Sequence, residues 1–501
     1  MKKTVTIFII LLYLLTNSFP AHADEKMDRQ WQDETIYSII IDRFHNANLS
    51  NDLQVDMEDP TSYHGGDFLG IIDKLDYIRE MGFTTISLSP IFDHEDGNYQ
   101  GYGVKDFYQT EEHFGTIDEF QRLVMEAHNR DMKVMVDFGV KYVSLKSAWL
   151  TDPTKEGWLK PQGGNETQQN LLEINLDHPE VNQYMIDVAK WWIEETDLDG
   201  YRLLFLEDVP ESFLKNFSQE VKALKDSLYL LGELKVSDPE KKASYLQAGI
   251  DGITDYSLSN ELRNVFQTPD QSISPLFAII ESYSQVYANP NGIGTFMDNE
   301  QMSRFTRETI ENNEHPGPRW RQALTFLYTT TGVPLVYYGS EIALDGGEAP
   351  DNQRQMNFRT DPELMEYITK IGDLRATLPS LTKGEFEVLF ENEGFAIFKR
   401  QYEKETTVVA INNTTETQSA AIPAQELTND MELRGLLNGD LVRSKNSEYM
   451  ITIDRDESEI YVLKEKSGIN FAYLIVLALI LFSFGIFLYL VWRKSRYQQQ
   501  S

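Results

Sequence analysis

Short β-branched runs alternate with amphipathic helical stretches through the first three quarters of this chain. A strand that is followed by a helix and then by another strand favours a parallel sheet with crossover helices. Sustained over roughly 340 residues, this alternation predicts a closed (β/α)8 TIM barrel, which takes about 250 residues or more. The runs that carry the pattern are strands at 84–88, 133–136, 229–231 and 333–338 and helices at 117–130 and 181–195.

The hydrophobic pattern changes to period two after residue 383. Residues 385–388, 395–398 and 407–411 alternate apolar and polar side chains, and turn pairs such as Asn438-Gly439 separate such runs. We therefore expect the barrel over residues 24–383 and an antiparallel β-sandwich over 384–466.

Both ends of the chain carry targeting signals. Lys2-Lys3, an apolar run and Ala21-His22-Ala23 predict a secretory signal peptide over residues 1–23, with an uncleaved anchor as the alternative. Residues 471–491 contain no charge and reach about 32 Å as a helix. Because basic residues follow at once, we expect a transmembrane helix at 469–492, a cytoplasmic tail at 493–501 and a large extracellular part. A buried core helix is the alternative.

Composition excludes two classes of chemistry. The chain has no cysteine, so it contains neither disulfides nor a catalytic thiol. Its formal net charge of −34 disfavours nucleic acid as a partner and is compatible with a neutral ligand.

Three segments carry the candidate chemistry. Asp199-Gly200-Tyr201-Arg202-Leu203-Leu204 resembles the Gly-x-Arg-x-Asp block of the α-amylase family, family 13 of the glycoside hydrolases, in which the last Asp is the catalytic nucleophile. Leu230-Leu231-Gly232-Glu233-Leu234 resembles the general-acid block. Phe296-Met297-Asp298-Asn299-Glu300-Gln301 resembles the transition-state block, with Glu300 and Gln301 in place of its His and second Asp. The resemblance therefore implies one catalytic carboxylate, Glu233, and two substituted positions, Leu204 and Gln301.

Further blocks extend the resemblance from about residue 36 to residue 463. They include 63–71, 88–92 and 336–341, and they follow the family's order. Within them the resemblance implies sugar-contacting positions, although Arg202 and Asp137 can instead form a structural pair and Tyr102 can be buried below a loop. We expect the substrate-binding residues to be Tyr102, Asp137, Arg202, Asn299 and Glu300. Trp191-Trp192, on a predicted helix, is expected in the core.

The family's calcium site is expected to be lost. Lys141 replaces an Asn that the resemblance assigns to calcium, and its ammonium group can neutralise a carboxylate such as Glu173. The segment at about 140–175, where the family inserts its small second domain after strand 3, is short. Asp42, Asn46, Asn48 and Asp52 form either a separate calcium loop or an ordinary polar turn. No other metal site or cofactor is predicted.

The substitutions act on the hydrolytic step itself. A retaining glycosidase needs two carboxylates about 5–5.5 Å apart, and loss of a nucleophile lowers turnover on the order of 10⁴-fold or more. We expect an α-glucan- or maltooligosaccharide-binding surface protein with lost or very weak hydrolysis. The first alternative is an unconventional hydrolase pairing Glu233 with Glu207, Asp208 or Glu300, and the second is an envelope scaffold for unidentified protein partners.

Overall fold

The computed structural model describes residues 29–160, 171–235, 238–466 and 471–498 of the 501-residue chain. The predicted signal peptide lies outside these residues. The strands in chain order are β1 (Ile36–Ile39), β2 (Thr85–Leu88), β3 (Phe92–His94), β4 (Val104–Thr110), β5 (Lys133–Gly139), β6 (Tyr142–Ser144), β7 (Leu171–Glu173), β8 (Gly200–Leu204), β9 (Tyr229–Gly232), β10 (Gly252–Ile253), β11 (Gly294–Phe296), β12 (Val333–Tyr337), β13 (Glu385–Asn392), β14 (Phe395–Tyr402), β15 (Glu405–Asn412), β16 (Gln418–Pro423), β17 (Met431–Gly435), β18 (Leu441–Arg443), β19 (Glu448–Ile453) and β20 (Ser458–Glu465).

Helices separate these strands through the first part of the chain and become rare in the second. They are α1 (Phe68–Glu80), α2 (Ile117–His128), α3 (Pro179–Thr196), α4 (Glu211–Leu224), α5 (Pro239–Gln247), α6 (Tyr256–Phe266), α7 (Ser274–Val286), α8 (Phe305–Glu311), α9 (Pro316–Thr329), α10 (Glu363–Thr377), α11 (Pro379–Lys383), α12 (Ala424–Leu427) and α13 (Phe471–Gln498).

Eight parallel strands close into a barrel. Their order is β10-β9-β8-β5-β2-β1-β12-β11, and a parallel bridge between Thr254 and Gly294 joins the two ends of this sheet. The backbone N–H of Asp255 also donates to the carbonyl of Gly294 at 2.9 Å. The predicted (β/α)8 barrel is therefore confirmed.

Local signals place the helices around the barrel. Thr116 and Glu119 form a capping box that starts α2, and the helix then buries an apolar stripe that includes Phe120 and Leu123. Inside the barrel, side chains from alternating strand positions form a separate apolar cluster. This packed layer closes the interior, so polar side chains are left for the carboxyl ends of the strands. Its fully buried members include Ile36, Met135, Leu231 and Val333.

A short insertion follows β5, the third barrel strand. Strands β6 and β7 pair antiparallel, with Tyr142 opposite Glu173. The connecting residues 161–170 lie outside the described part of the chain. Trp149 and Trp158 pack their rings against each other and against Tyr184 of α3, which fixes the described part of the insertion to the barrel.

The C-terminal domain is an antiparallel sandwich, as predicted. One sheet has the order β13-β14-β15-β20-β17-β18, and the pair β16-β19 covers its inner face. Ile397, Val408, Ile422 and Ile451 from the two layers share one buried cluster. Gln322 of α9 donates to the carbonyl of Asn412 at 2.7 Å, which ties the sandwich to the barrel.

The last helix differs from all the others in its exposure. Within α13, residues Ile475–Arg493 form an apolar stretch of 19 residues with none of its side chains buried. Its length and composition are sufficient to cross a bilayer.

Candidate functional site

The carboxyl ends of four barrel strands bring the predicted site residues together. Asp137 lies in β5, Arg202 and Leu204 lie in β8, Glu233 directly follows β9, and the 299–301 segment follows β11. Because parallel strands end on one face of the barrel, residues as far apart in the chain as Asp137 and Gln301 become neighbours.

Arg202 is the centre of a buried ionic cluster. Its Nε donates to Oδ1 of Asp137 at 2.7 Å, and its Nη2 donates to Oδ2 of Asp137 at 2.5 Å and to Oε1 of Glu300 at 2.9 Å. All three side chains are buried. Burial raises the pKa of Asp137 to about 6, against the opposing effect of Arg202. The guanidinium therefore holds both carboxylates in fixed positions.

Glu233 lies beside this cluster with one satisfied and one unsatisfied oxygen. Its Oε1 accepts hydrogen bonds from the Tyr256 hydroxyl at 2.9 Å and from Nε2 of Gln301 at 2.6 Å. Its Oε2 is buried and has no partner among the described residues. Burial raises the pKa of Glu233 to about 7; Arg202 opposes that rise and Glu300 adds to it. At neutral pH Glu233 is therefore protonated in a large fraction of the molecules.

A network of amides shapes the segment that follows β11. Asn299 accepts from the backbone N–H of Gln301 at 3.0 Å and donates from Nδ2 to the Tyr256 hydroxyl at 3.0 Å. Asn352 and Gln353 donate to the carbonyl of Glu300 at 3.0 and 2.8 Å. Sequence reasoning missed Tyr256, Asn352 and Gln353, because they lie outside the quoted motifs and no local pattern marks them.

Leu204 ends β8 as a fully buried apolar side chain. The next residue, Phe205, has φ +61°, a conformation that aromatic residues rarely adopt. Its ring lies edge-on to Tyr102 and Tyr142, with centroids 5.5 and 5.4 Å away. Tyr102 is half-buried at the same mouth. Where the resemblance requires an attacking carboxylate, the structure therefore has an aliphatic side chain next to an aromatic group.

A cavity of about 10 Å³ lies next to Glu233, with room for about one water molecule. Arg202, Glu233, Tyr256, Asp298 and Asn299 contribute to its wall. The Glu233 carboxyl group thus borders a space that suits a single water molecule.

Two of the three carboxylates proposed to replace the nucleophile, Glu207 and Asp208, have their partners outside the Glu233 cluster. Asp208 is exposed and pairs with Lys241 at 3.1 Å. Glu207 accepts from the backbone N–H of Lys235 at 3.0 Å. Neither forms a hydrogen bond with Glu233 in the described part of the chain, whereas Glu300 shares Arg202 with Asp137.

The prediction that Lys141 pairs with Glu173 is wrong. Its ammonium group donates to the backbone carbonyl of Glu207 at 2.7 Å, while Glu173 pairs with Lys160 at 3.0 Å. The main-chain direction at Glu207 brings a carbonyl, and not the Glu173 carboxylate, within reach of Lys141. Lys141 therefore joins the end of β5 to the loop after β8.

The loop after β1 has oxygens suited to a hard cation, but Asp42 is not one of its ligands. Both carboxylate oxygens of Asp42 accept backbone N–H groups of His64 and Gly65, which corrects the expected ligand set. Asn46 Oδ1 and Asn51 Oδ1 are buried without a donor among the described residues. Asp52 lies beside them, 2.8 Å from Nδ2 of Asn46. Such oxygens fit Ca²⁺.

Comparison with known sequences identifies two domains. The family model described as "Alpha amylase, catalytic domain" matches residues 38–166 and 146–380, and the model described as "Alpha-amylase C-terminal domain" matches residues 384–461. The Beta/alpha-amylase of Paenibacillus polymyxa is 30% identical over 465 residues, which cover 87% of this chain and 38% of that protein. The cyclomaltodextrin glucanotransferase of Thermoanaerobacterium thermosulfurigenes is 28% identical over 509 residues, covering 88% and 70%. This chain thus spans well under half the length of the first of these relatives.

Solved structures share the same fold. An α-amylase from Anoxybacillus is 51% identical with a TM-score of 0.86, over 88% of this chain and all of the other. The α-amylase of Geobacillus thermoleovorans, solved in complex with acarbose, is 45% identical with a TM-score of 0.84 and the same coverage. Each of these two structures therefore shares the fold of this chain over its barrel and its sandwich.

Proposed function

Because this chain belongs to the α-amylase family, we propose that it binds α-glucans or maltooligosaccharides at the cell surface and has lost most or all of the family's glycoside hydrolysis. The observation that carries this proposal is Leu204 at the carboxyl end of β8. It is fully buried and provides no atom that can attack an anomeric carbon.

The other two catalytic positions support the same conclusion. Glu233 is retained, but the group beside it is the amide of Gln301, which carries no negative charge to stabilise an oxocarbenium-like transition state. Asp137 and Glu300 are both held by Arg202. Among the side chains described around Glu233, no carboxylate is therefore free to replace the nucleophile.

Polar side chains at the predicted sugar-contacting positions support sugar binding. Tyr102, Asp137, Arg202, Asn299 and Glu300 surround Glu233 with donors and acceptors at the barrel mouth, where TIM-barrel proteins bind their ligands. The cyclomaltodextrin glucanotransferases and α-amylases among its relatives are named for glucan substrates. A neutral ligand also suits the strongly acidic chain.

The C-terminal helix supports attachment to a membrane. Its apolar stretch is followed by basic residues that favour the cytoplasmic side. Together with the predicted signal peptide, this arrangement supports a location of the barrel outside the cell.

The test uses the purified full-length chain in a detergent without a sugar headgroup, since a maltoside would compete for the site. Starch and maltohexaose are incubated with wild type, Glu233→Gln and the matched control Glu207→Gln, and maltohexaose binding is followed by calorimetry. We expect binding without hydrolysis. Hydrolysis that Glu233→Gln abolishes and Glu207→Gln preserves would overturn the inactive assignment, and absence of both activities would direct attention to protein partners.

One observation favours a second candidate, an unconventional hydrolase. The pKa of Glu233 near 7 suits a general acid, and Glu300, whose charge acts on Glu233, is the substitute carboxylate that can serve as a base in an inverting reaction. Such a pair requires a separation of roughly 6.5–9.5 Å to admit water. Under this alternative, Glu300→Gln abolishes hydrolysis and NMR shows the inverted anomer as the first product.

A further inference from the structure

A groove of about 640 Å³ lies on the outside of the barrel and shares no lining residue with the Glu233 cavity. Its walls come from the loop at 48–51, the end of β4, the start of α2 and one side chain of α3. Its volume falls within the usual range for small-ligand sites.

Two aromatic rings form the apolar part of this groove. Trp191 and Tyr108 are both half-buried, with ring centroids 5.3 Å apart and planes at 73°. The core prediction thus holds for the fully buried Trp192 and only in part for Trp191. Trp192 supports Trp191 from behind at 4.9 Å, and Tyr184 supports Tyr108 at 5.7 Å. The two rings are therefore fixed before any ligand arrives.

The remaining lining is polar, and its only charged side chains among the described residues are the carboxylates of Glu112 and Glu119. Asn48, Ser50, Gln109, Thr110 and Thr116 present amides and hydroxyls, and no Lys or Arg is among the described lining residues. Without a cation the groove does not suit a phosphate or a carboxylate ligand, and the net charge of the chain opposes one further.

We propose that this groove is a second binding site for an α-glucan chain, separate from the barrel mouth. Fixed aromatic faces bind the apolar faces of sugar rings, while surrounding amides and hydroxyls bind their hydroxyl groups. The choice of an α-glucan, rather than another neutral saccharide, rests on the function proposed above. Trp191 is the residue on which this site most depends, because its ring is the largest apolar surface in the groove.

The test counts binding sites on the full-length chain by calorimetry with maltotriose, in a detergent without a sugar headgroup. We expect two maltotriose molecules per wild-type chain and one in Trp191→Ala, because a loss of affinity of about tenfold or more moves the groove outside the titrated concentration range. Trp191→Phe, which keeps an aromatic face, retains both sites. Gln109→Ala, at an exposed position, weakens the same site without disturbing the core.

Two further variants separate this site from the mouth. Tyr102→Ala removes the mouth site and leaves the groove, while Tyr402→Ala, at a half-buried aromatic of the sandwich, leaves both sites intact. If Trp191→Ala still binds two maltotriose molecules, the proposed groove site is refuted and the proposed site at the barrel mouth is not. If Trp191→Ala loses maltotriose binding and Tyr102→Ala does not change it, the proposed mouth site is refuted and the groove site is not. If the wild-type chain binds no maltotriose, both proposed sites are refuted.

Discussion

The side-chain amide of Gln301 donates a hydrogen bond to Oε1 of Glu233 over 2.6 Å. In the α-amylase family the same pair of positions holds two carboxyl groups. An amide donor satisfies one oxygen of Glu233, Oε1, without adding a second charge to a buried site. The substitution therefore preserves the architecture of the site while removing a group that the reaction uses.

Glu300 compensates structurally for the missing nucleophile. Arg202 is buried with two carboxylates, one from Asp137 and one from Glu300. A carboxylate introduced at position 204 would be a third beside one guanidinium, and an uncompensated buried charge costs about 3–5 kcal/mol. We therefore expect Leu204→Asp alone to lower the thermal unfolding midpoint, with Leu204→Asn lowering it less.

The combination Leu204→Asp, Glu300→His and Gln301→Asp keeps two carboxylates around Arg202 and restores the family's catalytic set. We expect starch hydrolysis about 10²-fold or more above the parent chain, since the nucleophile and the transition-state group both return. Reducing-sugar release measures it, and the same combination with Leu204→Asn is the control. Equal activity in the two combinations would show that the carboxylate at position 204 does not act as nucleophile.

Glu233 makes stability depend on pH. Burial raises its pKa from the ordinary 4.5 to about 7, so the folded state holds this proton to a higher pH than the unfolded chain does. Its contribution to stability is complete below about pH 4.5 and is lost as the pH rises through 7. Glu233→Gln removes this titration, so its unfolding midpoint relative to wild type should rise between pH 5 and pH 8. A pH-independent difference for Glu233→Gln would refute the assignment.

Phe205 holds its backbone in the left-handed region, with φ +61°. For a residue with a Cβ this conformation costs about 1–2 kcal/mol, and glycine adopts it freely. Phe205→Gly should therefore unfold at a higher temperature than Phe205→Ala, because both lack the ring and only the alanine variant keeps the strain. Both should bind maltotriose more tightly than wild type, because removal of the ring, which contacts Tyr102 and Tyr142 edge to face, opens space at the barrel mouth. Weaker binding would identify Phe205 as a sugar platform.

The loop after β1 should respond to calcium. The unpartnered oxygens of Asn46 and Asn51 gain a partner when Ca²⁺ binds, and a ligand at 100 times its Kd stabilises the folded state by about 2.7 kcal/mol. We expect EDTA to lower the unfolding midpoint and added Ca²⁺ to restore it. Asn51→Ala should lose this response, whereas Asp118→Asn, at an exposed position on α2, should keep it. An identical response in both variants would place the ion elsewhere.

The absence of cysteine allows the membrane orientation to be tested with single thiols. Lys404→Cys lies on an exposed turn of the sandwich, and Gln500→Cys lies in the predicted cytoplasmic tail. A membrane-impermeant maleimide should label the first in intact cells and the second only after permeabilisation. Labelling of both in intact cells would contradict a single crossing by α13.

The order of strands and helices was predictable because it depends on local periodicity. Alternation at 84–88, 133–136 and 229–231 marks barrel strands, and the period-two runs after residue 383 mark the sandwich. The neighbourhood of Arg202, Glu233 and Glu300 also followed from sequence, since residues that end parallel strands meet on one face.

Hydrogen-bond partners depended on the tertiary structure. Lys141 binds the carbonyl of Glu207 and not Glu173, and Asp42 binds backbone N–H groups in place of a metal. A single sequence indicates which groups are charged, but the direction of each side chain and main-chain carbonyl is fixed only when distant segments pack together.

The sequence by itself therefore determined the barrel, the sandwich, the apolar C-terminal segment and the substitution of the catalytic positions, because each depends on residue type and spacing. Only the tertiary structure decided that Glu300 shares Arg202 with Asp137, that Gln301 donates to Oε1 of Glu233, and that Phe205 contacts two tyrosines. These contacts join residues far apart in the chain, and short-range geometry in a buried site selects one partner among several chemically suitable groups.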